Sequence, residues 1–272
     1  MKAIVNKTIC SLLSAPTRES TLEDEVLYGM VVDILEEVAP GWYKVRTHYR
    51  YEAIAAAEDL ILDDAAVAAW DALPKKIVLH KNTCDVLSQP KVQGYFMQSV
   101  PRGGLVSPVG EPENNWQKVR LADGREGYMP AAVLSDYYTS PVSEDETTLR
   151  QALVDAAMLY AGTHYRWGGK SPLGIDCSGL TSMAYMLCGI LIYRDADIVE
   201  GFPIHEITLK DVKPGDLLFF PGHVAMYMGN DRFCHSTARS DACGFTINSL
   251  NPADPDYNAW LHDNITQVGS YF

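Results

Sequence analysis

Two segments in the first half of the chain match each other at a constant spacing of 74 residues. Trp42-Tyr43-Lys44-Val45-Arg46 recurs as Trp116-Gln117-Lys118-Val119-Arg120. Two further pairs are 74 residues apart: the acidic residues Glu52 and Glu126, which follow the tryptophans, and the glycines Gly29 and Gly103, which precede them. Such self-similarity indicates two copies of one structural unit. Short apolar runs such as Val31–Leu35, separated by turn residues, predict a small all-β barrel for each copy.

The pattern of each copy resembles bacterial SH3-type (SH3b) domains. It is a glycine-led strand, a W-x-K-V strand and a Y-E-G-Y-like strand, and the two copies cover residues 1–73 and 76–138. The resemblance implies either binding of cell-wall material or packing against a catalytic unit to shape its cleft. Because the chain is acidic and has no evident basic groove, we favour the packing role.

A change of composition follows the second copy. Residues 139–148 (TSPVSEDETT) combine Pro, Ser and acidic residues, which is typical of a solvated linker before a helix start. From Leu149 to Tyr160 the apolar residues recur every three to four positions, which predicts an amphipathic helix. A helix followed later by strands predicts an α+β unit over residues 146–272.

Cys177 stands out among the six cysteines. It follows the glycine-rich loop of residues 165–171 and precedes apolar residues at helical spacing, so we expect it at a helix N-terminus with Asp176 as the N-cap. The helix dipole and free N–H groups there favour a thiolate, the nucleophilic form of cysteine. A cysteine in an apolar helix is often a core residue, but the flanking Asp, Ser and Gly argue against deep burial.

A thiolate nucleophile needs a base, and two of the seven histidines stand at suitable places. Residues 217–220 and 223–228 predict two strands, and a turn at 229–231 leads to a return strand that carries His235. The hairpin brings His235 near His223. Nucleophile, base and orienting group are the arrangement that covalent catalysis uses, and Cys177, His223 and His235 fill these roles in that order. For His235 a purely structural role remains the alternative.

Four ordered motifs in the second half together resemble the NlpC/P60 peptidases: Y-x-W-G-G, D-C-S-G-L, K-P-G-D-L-L-F-F and G-H-V-A-M-Y-M-G. The similarity covers about residues 146–272 and implies a papain-like α+β catalytic domain with a Cys-His-His site, preceded here by the two SH3-type barrels. It further implies that the hydroxyl of Tyr165 lies near the nucleophile and helps to hold the oxyanion.

The same resemblance suggests residues that bind substrate. Asp176 and Ser178 match positions that line the substrate pocket, and Arg194-Asp195 resembles an R-D-S/A element, with Ala196 where serine is frequent. In the subgroup that carries SH3-type domains, the first of them caps the cleft and offers a carboxylate to the free amine of the substrate. Glu52 is our candidate for this carboxylate. The alternative is that Glu52 is a structural residue of the barrel, which the repeat carries again as Glu126.

The resemblance implies hydrolysis of the γ-D-Glu–diamino acid bond in cell-wall (murein) peptides with a free N-terminal L-Ala, through a thioester acyl-enzyme. Residue chemistry alone supports thiol-dependent acyl transfer. Two alternatives stay open: an amidase or acyltransferase of similar fold, and a wall-binding module without activity. A metal site at Cys177, His223, Cys234 and His235 lacks the close ligand pairs such sites use, so we expect neither a metal nor another cofactor.

A net charge of −13 argues against nucleic acid and anionic membranes as partners. The basic N-terminus has no uninterrupted apolar stretch of a secretory signal's usual length, and no membrane-spanning run follows. The six cysteines form no CxxC pair and predict free thiols. We therefore expect a soluble, cytoplasmic, monomeric enzyme that acts on small peptidoglycan-derived peptides during cell-wall recycling.

Overall fold

The computed structural model describes all residues, 1–272, of the chain. They form two compact units, Met1–Tyr137 and Tyr138–Phe272. None of the helices has the length and apolar character needed to cross a lipid bilayer.

The first unit contains two seven-stranded antiparallel sheets. The strands of the first sheet are β1 Lys2–Val5, β2 Ile9–Leu13, β3 Leu22–Leu27, β4 Val31–Ala39, β5 Trp42–Thr47, β6 Glu52–Ala56 and β7 Leu60–Ile61. Helix α1, Asp64–Asp71, follows. The strands of the second sheet are β8 Lys76–Val78, β9 Thr83–Leu87, β10 Phe96–Pro101, β11 Leu105–Pro108, β12 Trp116–Arg120, β13 Glu126–Pro130 and β14 Leu134–Asp136.

The 74-residue spacing in the sequence is also the spacing of the strands. The two sheets have the same strand order, with every strand number of the second sheet seven higher than in the first: β3-β2-β6-β5-β4-β1-β7 and β10-β9-β13-β12-β11-β8-β14. Gly29 and Gly103 have φ angles of +78° and +88°, a conformation that glycine adopts without steric cost. A Cβ on Gly29 would also lie 2.5 Å from the carbonyl oxygen of Leu105. The repeated glycines therefore mark a turn that both copies need.

The two copies pack against each other within this unit. The N–H of Leu105 donates to the backbone carbonyl of Tyr28 at 2.8 Å, and the N–H of Ala122 donates to the Tyr28 hydroxyl at 2.9 Å. Within the first copy, the indole nitrogen of Trp70 donates to the carbonyl of Gly29 at 2.8 Å. Trp70 lies on α1, which has no counterpart in the second copy. Two all-β domains of this kind fit the SH3-type assignment.

The second unit combines helices with a six-stranded antiparallel sheet in the order β17-β22-β18-β19-β20-β21. Its elements are α2 Glu146–Met158, β15 Lys170–Ser171, β16 Gly174–Ile175, α3 Cys177–Leu187, β17 His205–Ile207, β18 Leu217–Phe220, β19 His223–Gly229, β20 Arg232–Thr237, β21 Gly244–Ser249, α4 Ala259–Asp263 and β22 Gln267–Ser270. The predicted fold class, an α+β unit preceded by two all-β domains, is confirmed.

The core of this unit surrounds α3, whose residues are all buried. Its hydroxyl groups on Thr181 and Ser182 donate to carbonyls of the helix itself, so they can be buried, and α3 contacts α2, β19 and β20. Helix α2 is tied to the sheet by Arg150, whose guanidinium contacts the fully buried Asp216 at 2.9 Å. Asp216 also accepts a hydrogen bond from Ser270 at 2.6 Å. The rigid core fixes the first turn of α3 relative to β19.

Candidate active site

Cys177 is the first residue of α3, as the sequence predicted. Asp176 caps the helix, because its Oδ1 atom accepts a hydrogen bond from the N–H of Gly179 at 2.6 Å. An N-cap of this type satisfies one of the N–H groups that a helix start leaves free. The cap therefore fixes the first turn, from which the Cys177 side chain projects.

The expectation that Cys177 escapes deep burial is wrong. Its side chain is only 8% exposed. Burial raises the pKa of the thiol to about 11, and the negative charge of Asp176 acts in the same direction. Backbone N–H groups of Val224 and Ser178 bond to the sulfur and oppose this shift. The donors at the helix start are present as expected, but desolvation outweighs them for a lone thiolate.

His223 and His235 are in direct contact across the β19–β20 hairpin. The Nε2 atom of His223 lies 2.8 Å from the Nδ1 atom of His235, and the rings meet edge to face at 4.9 Å between centroids. The predicted hairpin therefore brings the two rings together, in a register that the structure supplies. Since Val224 follows His223 and donates to the sulfur, the thiol of Cys177 lies beside the start of β19.

Both rings are neutral at physiological pH. Burial, together with the nearby His235, lowers the pKa of His223 to about 3. Burial also lowers the pKa of His235, against the effect of a hydrogen bond to Asn248. Thiolate alone and imidazolium alone are thus both disfavoured in this site. The charged form that such a site can stabilise is the pair, formed when the proton moves from sulfur to ring.

Tyr165 lies close enough to Cys177 for the two groups to interact electrostatically. Burial raises the pKa of Tyr165 to about 12, and the sulfur of Cys177 contributes in the same direction. The phenol is therefore protonated at neutral pH and can donate a hydrogen bond. This is the property that an oxyanion donor needs.

Asp176 and Ser178, predicted to line the substrate pocket, are buried and hold Arg194. The guanidinium of Arg194, 1% exposed, reaches the two carboxylate oxygens of Asp176 at 3.1 and 3.2 Å and the Ser178 hydroxyl at 2.8 Å. The second oxygen of Asp176 also accepts from the N–H of Gly168 at 2.8 Å. These contacts connect the glycine-rich loop to the first turn of α3.

The loop and the helix approach so closely that glycine is required. A Cβ on Gly179 would lie 2.1 Å from the carbonyl oxygen of Gly169 and 2.9 Å from an oxygen of Asp176. No real Cβ tolerates the first of these distances. The glycine after Cys177-Ser178 is therefore a packing requirement of the site.

Asp195 and Glu52, the other two predicted substrate ligands, are exposed residues of different units. Asp195 forms a hydrogen bond with Tyr193. Burial raises the pKa of Tyr193, and the charge and hydrogen bond of Asp195 act in the same direction. The carboxylate of Glu52 pairs with Lys44 at 3.0 Å and lies 4.0 Å from Arg46. Glu126 makes the equivalent pairs with Lys118 and Arg120, at 2.7 and 2.6 Å.

Sequence reasoning missed Asn248, whose Oδ1 atom lies 2.9 Å from Nε2 of His235. A usable signal was present, because asparagine is depleted in strands and Asn248 stands inside β21, next to the strand of His235. For the metal alternative, no group of three or more His, Cys, Asp or Glu side chains is placed to hold an ion.

Residues 162–257 match the NlpC/P60 family. The chain is 42% identical to "Dipeptidyl-peptidase 6" of Lysinibacillus sphaericus over 275 aligned positions, which cover 100% of both chains. It is 31% identical to "Gamma-D-glutamyl-L-lysine dipeptidyl-peptidase" of Bacillus subtilis over 139 positions, which cover 48% of this chain and 44% of that one.

Solved structures share the fold. An NlpC/P60 family protein from Bacillus cereus superposes with a TM-score of 0.78 at 20% identity and covers 100% of this chain and 99% of its own. An NlpC/P60 endopeptidase from Photobacterium damselae gives a TM-score of 0.64 at 11% identity, over 98% of this chain and 72% of that one. With a matching family profile and a relative that is similar along its whole length, the chain belongs to the NlpC/P60 family of cysteine peptidases.

Proposed function

We propose that this chain is a cell-wall peptidase that cleaves the γ-D-Glu–diamino acid bond of peptides that begin with L-Ala. The observation that carries the proposal is the contact between His223 and His235, at 2.8 Å, beside a thiol on the first turn of α3. The relatives named as dipeptidyl-peptidases support the substrate class. L-Ala-γ-D-Glu is itself a dipeptide, so its release from an N-terminus would agree with those names.

The reaction begins with transfer of the Cys177 proton to His223. The thiolate attacks the γ-carbonyl carbon of D-Glu, and the C–N bond to the diamino acid breaks as His223 returns the proton to the leaving amine. A water molecule, deprotonated by His223, then attacks the thioester. This step releases L-Ala-γ-D-Glu and restores the thiol.

The oxyanion that forms at each attack needs donors. Tyr165 can be one of them, because its protonated phenol lies near Cys177. His235 keeps the His223 ring oriented through the shared proton. Asp176 and Ser178 act through Arg194, which ties the loop to α3.

Glu52 is proposed to bind the free amine of the substrate, since a carboxylate is the natural partner of an ammonium group. A preference for short peptides with a free amine would suit cytoplasmic recycling of wall fragments. Both statements extend the expectations drawn from the sequence.

The test is mass-spectrometric cleavage of L-Ala-γ-D-Glu-L-Lys and of its N-acetylated form by the wild type, Cys177→Ala and Cys188→Ala. Cys188 is a matched control, because it is the buried C-cap of the same helix. We expect release of L-Lys from the free peptide by the wild type and Cys188→Ala only. Equal cleavage of both peptides would exclude the amine preference. Cleavage of neither would exclude L-Lys as the diamino acid of the substrate.

A further inference from the structure

The hydrogen bonds of the two histidines continue to Asn248. Its Oδ1 atom lies 2.9 Å from Nε2 of His235, while its Nδ2 group donates to the backbone carbonyl of Asp256 at 2.8 Å. His235 contacts His223 through its other ring nitrogen. Three side chains on β19, β20 and β21 thus form one chain of hydrogen bonds.

The donor and acceptor roles in this series of hydrogen bonds follow from its last acceptor, the backbone carbonyl of Asp256. The carbonyl of Asp256 can only accept, so the amide nitrogen of Asn248 must face it and the amide oxygen must face His235. An amide oxygen also can only accept. His235 must therefore carry a proton on Nε2, and in the neutral ring Nδ1 is then an acceptor.

The consequence reaches His223. Because Nδ1 of His235 accepts, Nε2 of His223 must donate, and the neutral His223 ring keeps its Nδ1 unprotonated. A general base needs such a free nitrogen to receive the proton of the Cys177 thiol. The reverse arrangement would place a lone pair of His235 against the oxygen of Asn248 and would leave His223 without a vacant Nδ1.

We propose that Asn248 is a positioning residue that sets the tautomers of His235 and, through it, of His223, an inference that rests on the proposed peptidase function. Asn248 does not contact the thiol. It acts by deciding which nitrogen of the base is free.

The surroundings of Asn248 hold its amide in one orientation. Asn248 is paired with Phe233 in the β20–β21 ladder, so its backbone is fixed next to His235. The acceptor residue is fixed as well, because Asp256 forms an ion pair with Arg232 and its carbonyl also accepts from the N–H of Ser249 at 3.2 Å. The loop that follows β21 thus fixes the end of this series of hydrogen bonds.

The test uses the 272-residue chain labelled with 15N-histidine and reads tautomers from ring-nitrogen NMR shifts, with His235→Gln to assign the signals. In the wild type we expect His235 protonated on Nε2. In Asn248→Leu, which is similar in size but cannot accept, a fraction protonated on Nδ1 should appear. Asn248→Asp keeps an acceptor and should restore the wild-type tautomer. Asn251→Ser, in the same loop but away from the rings, is the control.

A second readout is the rate at which iodoacetamide alkylates Cys177 at neutral pH, followed on the peptide that contains it. Loss of one orienting hydrogen bond should slow alkylation roughly tenfold in Asn248→Leu, and Asn248→Asp should recover most of the rate. If Asn248→Leu does not fold, Asn248→Ser, too short to reach the ring, carries the same expectations. Unchanged tautomers and an unchanged rate in a folded variant would overturn the proposal. Neither readout uses a peptide substrate, so a failure of the proposed substrate in the cleavage assay would be seen separately.

Discussion

Nε2 of His223 lies 2.8 Å from Nδ1 of His235, and the second ring is only 1% exposed. A hydrogen bond that is shielded from water in this way fixes both rings more firmly than an exposed one would. It also forces the two residues to act as a unit, because a change in either proton position changes the other.

Removal of either reacting group should abolish turnover. We expect Cys177→Ala and His223→Ala each to reduce kcat/KM by about 10³-fold or more, and the double variant to be no worse than the single ones, since nucleophile and base act together. Steady-state kinetics on L-Ala-γ-D-Glu-L-Lys would measure this. Independent, multiplying effects of the two substitutions would contradict the mechanism.

His235 should be replaceable by a side chain that keeps the acceptor. The Oδ1 atom of asparagine occupies nearly the position of Nδ1 in histidine, so His235→Asn can still accept from His223, whereas His235→Leu cannot. We expect a loss in kcat of about tenfold for His235→Asn and about 100-fold or more for His235→Leu. Equal losses, measured with matched melting temperatures, would indicate a purely structural role.

The repeat could be predicted from the sequence because its physical causes are local. A tryptophan strand, a turn that needs a positive φ angle and an acid paired across two strands recur at one spacing, and Gly29 and Gly103 both show that backbone. Helix α1 breaks the repeat, since it occurs only in the first copy. Its Trp70 donates a hydrogen bond to the carbonyl of Gly29, which is a tertiary contact that no local pattern contains.

The sequence predicted the three central residues of the site, but not their burial or their further hydrogen-bond partners. Motif order and hairpin logic located Cys177, His223 and His235, whose rings meet as expected. The burial of Cys177 was missed, because flanking polar residues indicate exposure only when they face water. Here Asp176 and Ser178 face the buried guanidinium of Arg194. Asn248 was missed because the register between β20 and β21, which decides which residue of β21 lies near His235, cannot be read from the sequence.

Arg194 should matter for stability. Breaking a buried ion pair by removing one partner leaves an uncompensated charge, so Arg194→Met should lower the free energy of unfolding by about 3–5 kcal/mol. Arg239→Met is the control, because the pair between Arg239 and Asp241 is exposed and should contribute at most about 1 kcal/mol. Calorimetric unfolding of both variants would compare them, and similar losses would refute this account.

The buried histidines should make the fold sensitive to acid. The pKa of His223 is about 3 when folded and rises to about 6.5 in the unfolded chain. The unfolded state therefore binds the proton first, and stability present above pH 6.5 is lost as the pH falls from 6.5 towards 3.

Between pH 7 and pH 5 this group alone should destabilise the fold by up to about 2 kcal/mol. His223→Gln has no titrating ring at this position and should lose correspondingly less. Melting temperatures of both proteins at the two pH values provide the comparison. An identical acid sensitivity would mean that His223 is already protonated in the folded protein at pH 5.

Glu52 and Glu126 provide a matched test of substrate capping. Both carboxylates pair with a lysine and an arginine of their own copy, so Glu52→Gln and Glu126→Gln should have similar small effects on stability. Only Glu52→Gln should weaken the preference for L-Ala-γ-D-Glu-L-Lys over its N-acetylated form, because an amide cannot neutralise the substrate ammonium. The ratio of kcat/KM values for the two peptides measures this preference. If neither variant changed the ratio, Glu52 would be a barrel residue whose ion pairs only stabilise the repeat.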